Sequence, residues 1–257
     1  MAKIVKPHPL SFSSVFLEPY FNDLQLGIAT GFFWSTNYVT YLVTNYHVLS
    51  GINPYTNQPI NQYGSLPNKL KIWLHLSGNL GSWEAHEISL LDENDNSLWK
   101  VHKDFGSTVD VSIIEVEAPE KLRVFPINNI TFTDFREEIS QDVFIIGFPK
   151  GITGAGKFPI WKRGSIASEP DIDLDNKPQI LIDSMTREGM SGSPVITQYV
   201  GYYGKDPDNP KGTDWFGMGR KFLGVYSGRL TGRDEFEAHL GIIWKATLID
   251  QIIESGT

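Results

Sequence analysis

Apolar residues fall along this chain in short runs, and clusters of Gly, Pro, Asn and Asp separate them. The runs cover residues 28–34, 38–44, 70–76, 83–91, 111–116, 143–147, 179–182, 195–199, 222–226 and 240–244, and Val, Ile, Phe, Tyr and Trp dominate them. That pattern predicts strands, and its spacing predicts an all-β sandwich or barrel rather than alternating strands and helices. One segment follows the helical period. In residues 245–254, Ala246, Leu248, Ile249, Ile252 and Ile253 share a face, and Ser255-Gly256 is a stop signal. Residues 117–142 are the least strand-like stretch of the middle and are the expected crossing between two halves. Two polar, turn-rich segments, 51–68 and 201–219, exceed the usual length of a connection.

Composition narrows the class. Of 257 residues, 40% are hydrophobic and 20% charged, which suits a packed globular chain and excludes a disordered one. The formal net charge of −8 argues against nucleic acid as a partner, since a basic footprint is needed to displace counterions. It equally disfavours docking on anionic membranes. The chain has no cysteine, so a disulfide framework, a Cys-ligated zinc and a thiol nucleophile are excluded. Near the start, Pro7, Pro9 and the polar Leu10-Ser11-Phe12-Ser13-Ser14 interrupt the apolar run that a signal peptide requires. No segment approaches the roughly 18 apolar residues of a membrane span. A soluble, cytoplasmic protein is expected.

Three stretches carry chemistry. Ser191 lies between two glycines in Gly189-Met190-Ser191-Gly192-Ser193-Pro194, which by itself reads as an ordinary turn. His47 ends an apolar run in the sequence YLVTNYHVLSG. A lone histidine there is usually a core residue, but a rigid strand end is also where a catalytic base must be held. Asp110 opens the apolar run VDVSIIEV. It is either a turn residue or a buried carboxylate able to accept a ring N–H of histidine.

Taken together, TNYHVLSG, DVSIIEV and GMSGSPVI resemble the chymotrypsin-fold (trypsin-like) serine peptidases, most closely the bacterial trypsin-like and glutamyl-endopeptidase-like branch. Gly31-Phe32-Phe33, IIGFPKG and PIWKRGSIAS support the resemblance, which spans roughly residues 29–254. It implies a single peptidase domain over 1–257, built of two packed six-stranded antiparallel β-barrels and a C-terminal α-helix. The N-terminal barrel is expected over 1–120, and the C-terminal barrel with its helix over 121–257. It implies His47 as general base, Asp110 as its orienting carboxylate and Ser191 as nucleophile. The oxyanion hole falls to the N–H groups of Gly189 and Ser191. The reaction implied is peptide hydrolysis through an acyl-enzyme, with a protein or peptide as substrate and no cofactor or metal.

Two departures from the family pattern matter. Met190 stands where vertebrate-type members carry the Asp that pairs with a newly cut N-terminus, so activation by that ion pair is not expected. The positions matching the substrate-binding pocket are Met185, Thr186, Tyr226, Gly228 and Gly241. No carboxylate lies at the base, so a preference for Arg or Lys is not supported. Thr186 fits the glutamyl-specific branch, but Tyr226 stands where that branch has histidine. Arg187 and Arg229 leave recruitment of an acidic residue open beside a small or hydrophobic one.

Rival readings carry less. An α/β-hydrolase needs Gly at the fifth motif position, where Ser193 stands, and a helix after the serine. The acidic stretches 171–176 and 205–214 lack calcium-loop spacing and read as solvated loops. Trp161 reads as core packing, and Trp215-Phe216 as either a pocket cover or a loop anchor. A protease-like binding or scaffold module is the non-enzymatic alternative, although no triad member is missing. An unrestrained protease inside a cell is hazardous, so regulation, for instance by a protein partner, or a narrow substrate range is expected.

Overall fold

The computed structural model describes residues 6–204, 214–229 and 239–255. Strand β1 (Ser14–Phe21) turns into the short β2 (Leu24–Gln25), and β3 (Ala29–Thr36) and β4 (Val39–Thr44) form the next hairpin. A single turn, α1 (Tyr46–Ser50), follows β4 directly. The N-terminal half continues through β5 (Lys69–Leu76), β6 (Asn79–Ser89), β7 (Trp99–Lys100), β8 (Ser112–Glu115) and β9 (Leu122–Arg123). The C-terminal half holds β10 (Asp142–Gly147), β11 (Ile160–Ile166), β12 (Gln179–Asp183), β13 (Pro194–Tyr203), β14 (Trp215–Arg229) and β15 (Leu240–Lys245), then the helix α2 (Thr247–Ser255).

All strand pairs are antiparallel. Six strands of the second half close into a barrel in the order β10-β11-β12-β15-β14-β13. In the first half the pairing runs β6-β5-β1-β3-β4-β8-β7, with β2 on β1 and β9 on β5. Its longer strands are again six, since β2, β7 and β9 have two residues each.

Each half has its own core, and a third core joins them. Leu17, Phe33, Leu42 and Ile72 fill the first half, and Val143, Ile145, Ile182 and Val195 the second. Between them Phe32, Val43 and Val111 meet Ile146, Ile196, Val225 and Trp244, and α2 adds Leu248, Ile249 and Ile252. Burying each such side chain contributes on the order of 2 kcal/mol. The helix is also tied back to the first half, because Trp34 Nε1 donates to Asp250 Oδ1 at 3.1 Å.

Of the strands longer than two residues, two lie outside the apolar runs. β1 was hidden by its flanking serines and by Pro19, a residue that argues against a strand. Pro19 is tolerated because pairing with β3 has ended at Leu17 and its own carbonyl, not an N–H, is what that edge uses, accepting the Leu26 N–H at 2.9 Å. β11 carries Lys162, Arg163 and Gly164 at its centre and is half-exposed along most of its length, so no apolar run marks it. The expected loop 201–219 is strand at both of its described ends, where β13 and β14 pair out to Tyr203 and Trp215. Trp215 stacks on Tyr203 and meets Phe135 and Tyr199 edge-on or tilted, so it anchors this hairpin, while Phe216 faces solvent. Trp161 packs as expected, against Phe144 and the shared core.

Candidate active site

Register brings His47 and Asp110 together. Thr44 at the end of β4 pairs with Ser112 at the start of β8, so the residues just beyond them leave the sheet side by side. Asn45 stays extended, and its Nδ2 donates to the Asp110 carbonyl at 2.6 Å. The chain then coils for one turn and is released by Gly51, whose φ of 72° suits a residue without Cβ. His47 is thereby held rigidly at the rim of the core.

Asp110 is buried, and its carboxylate accepts three hydrogen bonds. The His47 N–H reaches Oδ1 at 3.0 Å, the His47 ring reaches Oδ2 through Nδ1 at 2.7 Å, and Ser227 donates its hydroxyl to Oδ2 at 2.5 Å. With Nδ1 facing the carboxylate, Nε2 is the nitrogen left for chemistry. Burial pulls the His47 pKa down, but the charge and hydrogen bond of Asp110 more than offset it and hold the imidazole above its ordinary value. The role of Ser227 was not singled out from sequence, because an isolated serine in a strand carries no signal until the fold sets it against Asp110.

The loop carrying Ser191 is shaped by its glycines. Gly189 and Gly192 have φ of 90° and 81°, in the left-handed region. A Cβ on Gly189 would sit 2.3 Å from the Phe148 carbonyl oxygen, and one on Gly192 would sit 2.1 Å from that of Thr30. Lys150 donates its N–H to the Glu188 carbonyl at 2.6 Å. In a trans peptide the N–H points opposite to the C=O, so the Gly189 N–H is turned away from Lys150. Among the described residues, neither it nor the Ser191 N–H donates to a backbone carbonyl. Met190 is buried in the C-terminal core, packed with residues such as Ile145 and Val195. After Ser191 the chain enters β13, not a helix, which removes the α/β-hydrolase arrangement.

Two cavities flank His47. One, of about 150 Å³, is lined by His47, Ser191, Gly189, Glu188 and apolar residues that include Ile28 and Ile60. The other, of about 280 Å³, is lined by His47, Asp110, Tyr55, Ser227, Gly228 and Arg229. Segment 51–68 walls both, and Ile60 lines each of them.

Of the sequence-matched pocket residues, Thr186, Tyr226 and Gly241 lie together. Thr186 and Tyr226 are buried and share a hydrogen bond between their hydroxyls. Burial pushes the Tyr226 phenol up to about 12, against the smaller opposing pull of the Thr186 hydrogen bond and the Arg229 charge. Gly241 lies under the ring, where a Cβ would come within 2.7 Å of Tyr226 Cε2. Gly228 lines the second cavity, whereas Met185 is half-exposed and contacts Arg187. The acidic stretch 171–176 is tied up in surface ion pairs, Asp171 with Arg136 and Asp173 with Lys245. Residues 205–213 of the other acidic stretch lie outside the described residues.

Residues 29–201 match the family profile of the trypsin-like peptidase domain. Two solved structures align along almost the whole chain. One is the Rv3671c protease from M. tuberculosis in its active form, 18% identical, with a TM-score of 0.50 over 95% of this chain and 81% of that one. The other is the serine endoprotease from Yersinia pestis, 15% identical, with a TM-score of 0.52 over 98% of this chain and 67% of that one. At these identities the likeness speaks to the fold. No curated protein sequence matches the chain. Among the described residues, no helix is long and apolar enough to cross a membrane.

Proposed function

The chain belongs to the trypsin-like peptidase domain family, and from that premise we propose that it is a serine endopeptidase working through His47, Asp110 and Ser191. The observation that carries the reading is the buried Asp110 accepting His47 Nδ1 at 2.7 Å, which leaves Nε2 for the cavity that His47 shares with Ser191.

In the first step Ser191 Oγ attacks the carbonyl carbon of a peptide bond and its proton passes to His47 Nε2. The oxyanion that forms is met by the N–H groups of Gly189 and Ser191. The imidazolium, stabilised by Asp110, then gives its proton to the departing amine, and an ester on Ser191 remains. Water attacks that ester, His47 takes the water's proton and returns it to Ser191 Oγ, and the acid product leaves. No metal or cofactor enters any step. The substrate is an extended protein or peptide segment lying across both cavities. With no carboxylate among Met185, Thr186, Tyr226, Gly228 and Gly241, a basic side chain before the cleaved bond is not favoured. We further propose that the enzyme works inside the cell under restraint, through a regulatory protein partner or a narrow substrate range.

Incubation with a denatured protein, followed by sequencing of the new N-termini, tests the activity. Cleavage by the wild type and none by Ser191→Ala is expected. Equal cleavage by both would sink the assignment. A folded wild type that cuts nothing would point to the scaffold alternative.

A further inference from the structure

Gly189 has no side chain to fix its peptide, so something else must hold the oxyanion loop in its working orientation. Met190 leaves no carboxylate for the N-terminal ion pair of vertebrate-type members. Thr30, in β3 of the opposite half, is fully buried, and its polar atoms converge on this loop. Its hydroxyl donates to the Gly189 carbonyl at 2.7 Å and accepts the Phe148 N–H at 3.2 Å. Its own N–H donates to the Ser191 carbonyl at 2.9 Å. Its carbonyl accepts the Thr44 hydroxyl at 2.8 Å, which ties the clamp to the strand that leads into His47.

We propose that Thr30 is a positioning residue that holds the Gly189–Ser191 loop from across the interface between the two halves. The hydroxyl fixes the peptide after Gly189, while Lys150 fixes the one before it through the Glu188 carbonyl. The two anchors together leave the Gly189 N–H no freedom to swing. The oxyanion site is thus complete only when β3 is docked on the second half, and folding takes the place of an activating cleavage. Valine would fill the same space but leave the Gly189 carbonyl and the Phe148 N–H without their hydroxyl partner. The inference rests on the reading of Ser191 as nucleophile and adds to it what shapes the site around that serine.

The test compares wild type, Thr30→Ser and Thr30→Val, each checked for cooperative unfolding. The rate of Ser191 labelling by a fluorophosphonate is resolved into kinact and KI, and amide exchange is followed over 187–193. Thr30→Val is expected to lower kinact by about 10- to 100-fold with KI changed by less than about threefold, since small misplacements of reacting groups cost that much. Its loop amides should exchange at least about tenfold faster, and Thr30→Ser should restore both. A folded Thr30→Val with wild-type kinact and exchange overturns the clamp and leaves the Ser191 reading intact. A Thr30→Ser as poor as Thr30→Val overturns it too. Failure of wild type to label overturns the Ser191 reading, and the exchange comparison then decides the clamp independently.

Discussion

Asp110 governs His47 in two ways, by orienting the ring and by opposing the effect of burial on its charge. The His47 pKa lies above its ordinary 6.5, with burial lowering it and Asp110 raising it more. A base must be neutral to act, so activity should rise with pH through a midpoint above 6.5, read from kinact against pH. In Asp110→Asn the raising influence is gone and burial remains, so that midpoint should fall while the rate drops by about 10⁴-fold. An unmoved midpoint would remove Asp110 from the account. The same shift is a statement about stability. A group with a raised folded pKa contributes stability that is complete below its unfolded value and disappears as pH rises through the folded one. The stability difference between wild type and His47→Gln, from urea melts, should therefore be largest below about pH 6.5 and shrink in alkali. Ser227→Ala should cost a modest part of the rate, because Asp110 keeps its two bonds from His47.

At the scale of elements, the loop between β12 and β13 depends on glycine where no other residue fits. Gly192→Ala would drive a Cβ to within 2.1 Å of backbone at Thr30, in a conformation with positive φ. We expect loss of labelling together with a drop in melting temperature, and a variant as active and stable as wild type would contradict the loop geometry. Sequence made this loop legible because two glycines and a proline around one serine leave few conformations. It also exposed β4 and β8, whose apolar runs end on His47 and begin after Asp110. It hid β1 and β11, since Pro19 and the Lys162-Arg163-Gly164 centre mask strands that tertiary pairing stabilises. It hid Ser227 as well, whose meaning comes only from a partner 117 positions away in sequence.

Across the whole molecule, the site is an interface property. His47 and Asp110 come from one half, Ser191 and Ser227 from the other, and the shared core with α2 holds them in register. Ile249 is fully buried in that core, which also holds Val109 and Val111 on either side of Asp110. Ile249→Ala should cost about 2–5 kcal/mol in a urea melt. If the halves are coupled as described, the variant should unfold in one transition; two separate transitions would mean that they fold independently. The fold class was readable from strand spacing and motif order, whereas the joining of the halves through α2 was not. The helical period marks an apolar face without naming what covers it.

In the proposed mechanism everything depends on Ser191 being an activated nucleophile. Intact-mass spectrometry after fluorophosphonate treatment tests it most directly, with wild type, Ser191→Ala and His47→Ala side by side. A single adduct is expected on wild type, mapped to Ser191 by peptide digestion, and none on either variant. An adduct on another residue, or a folded wild type that stays unmodified at alkaline pH, would contradict it.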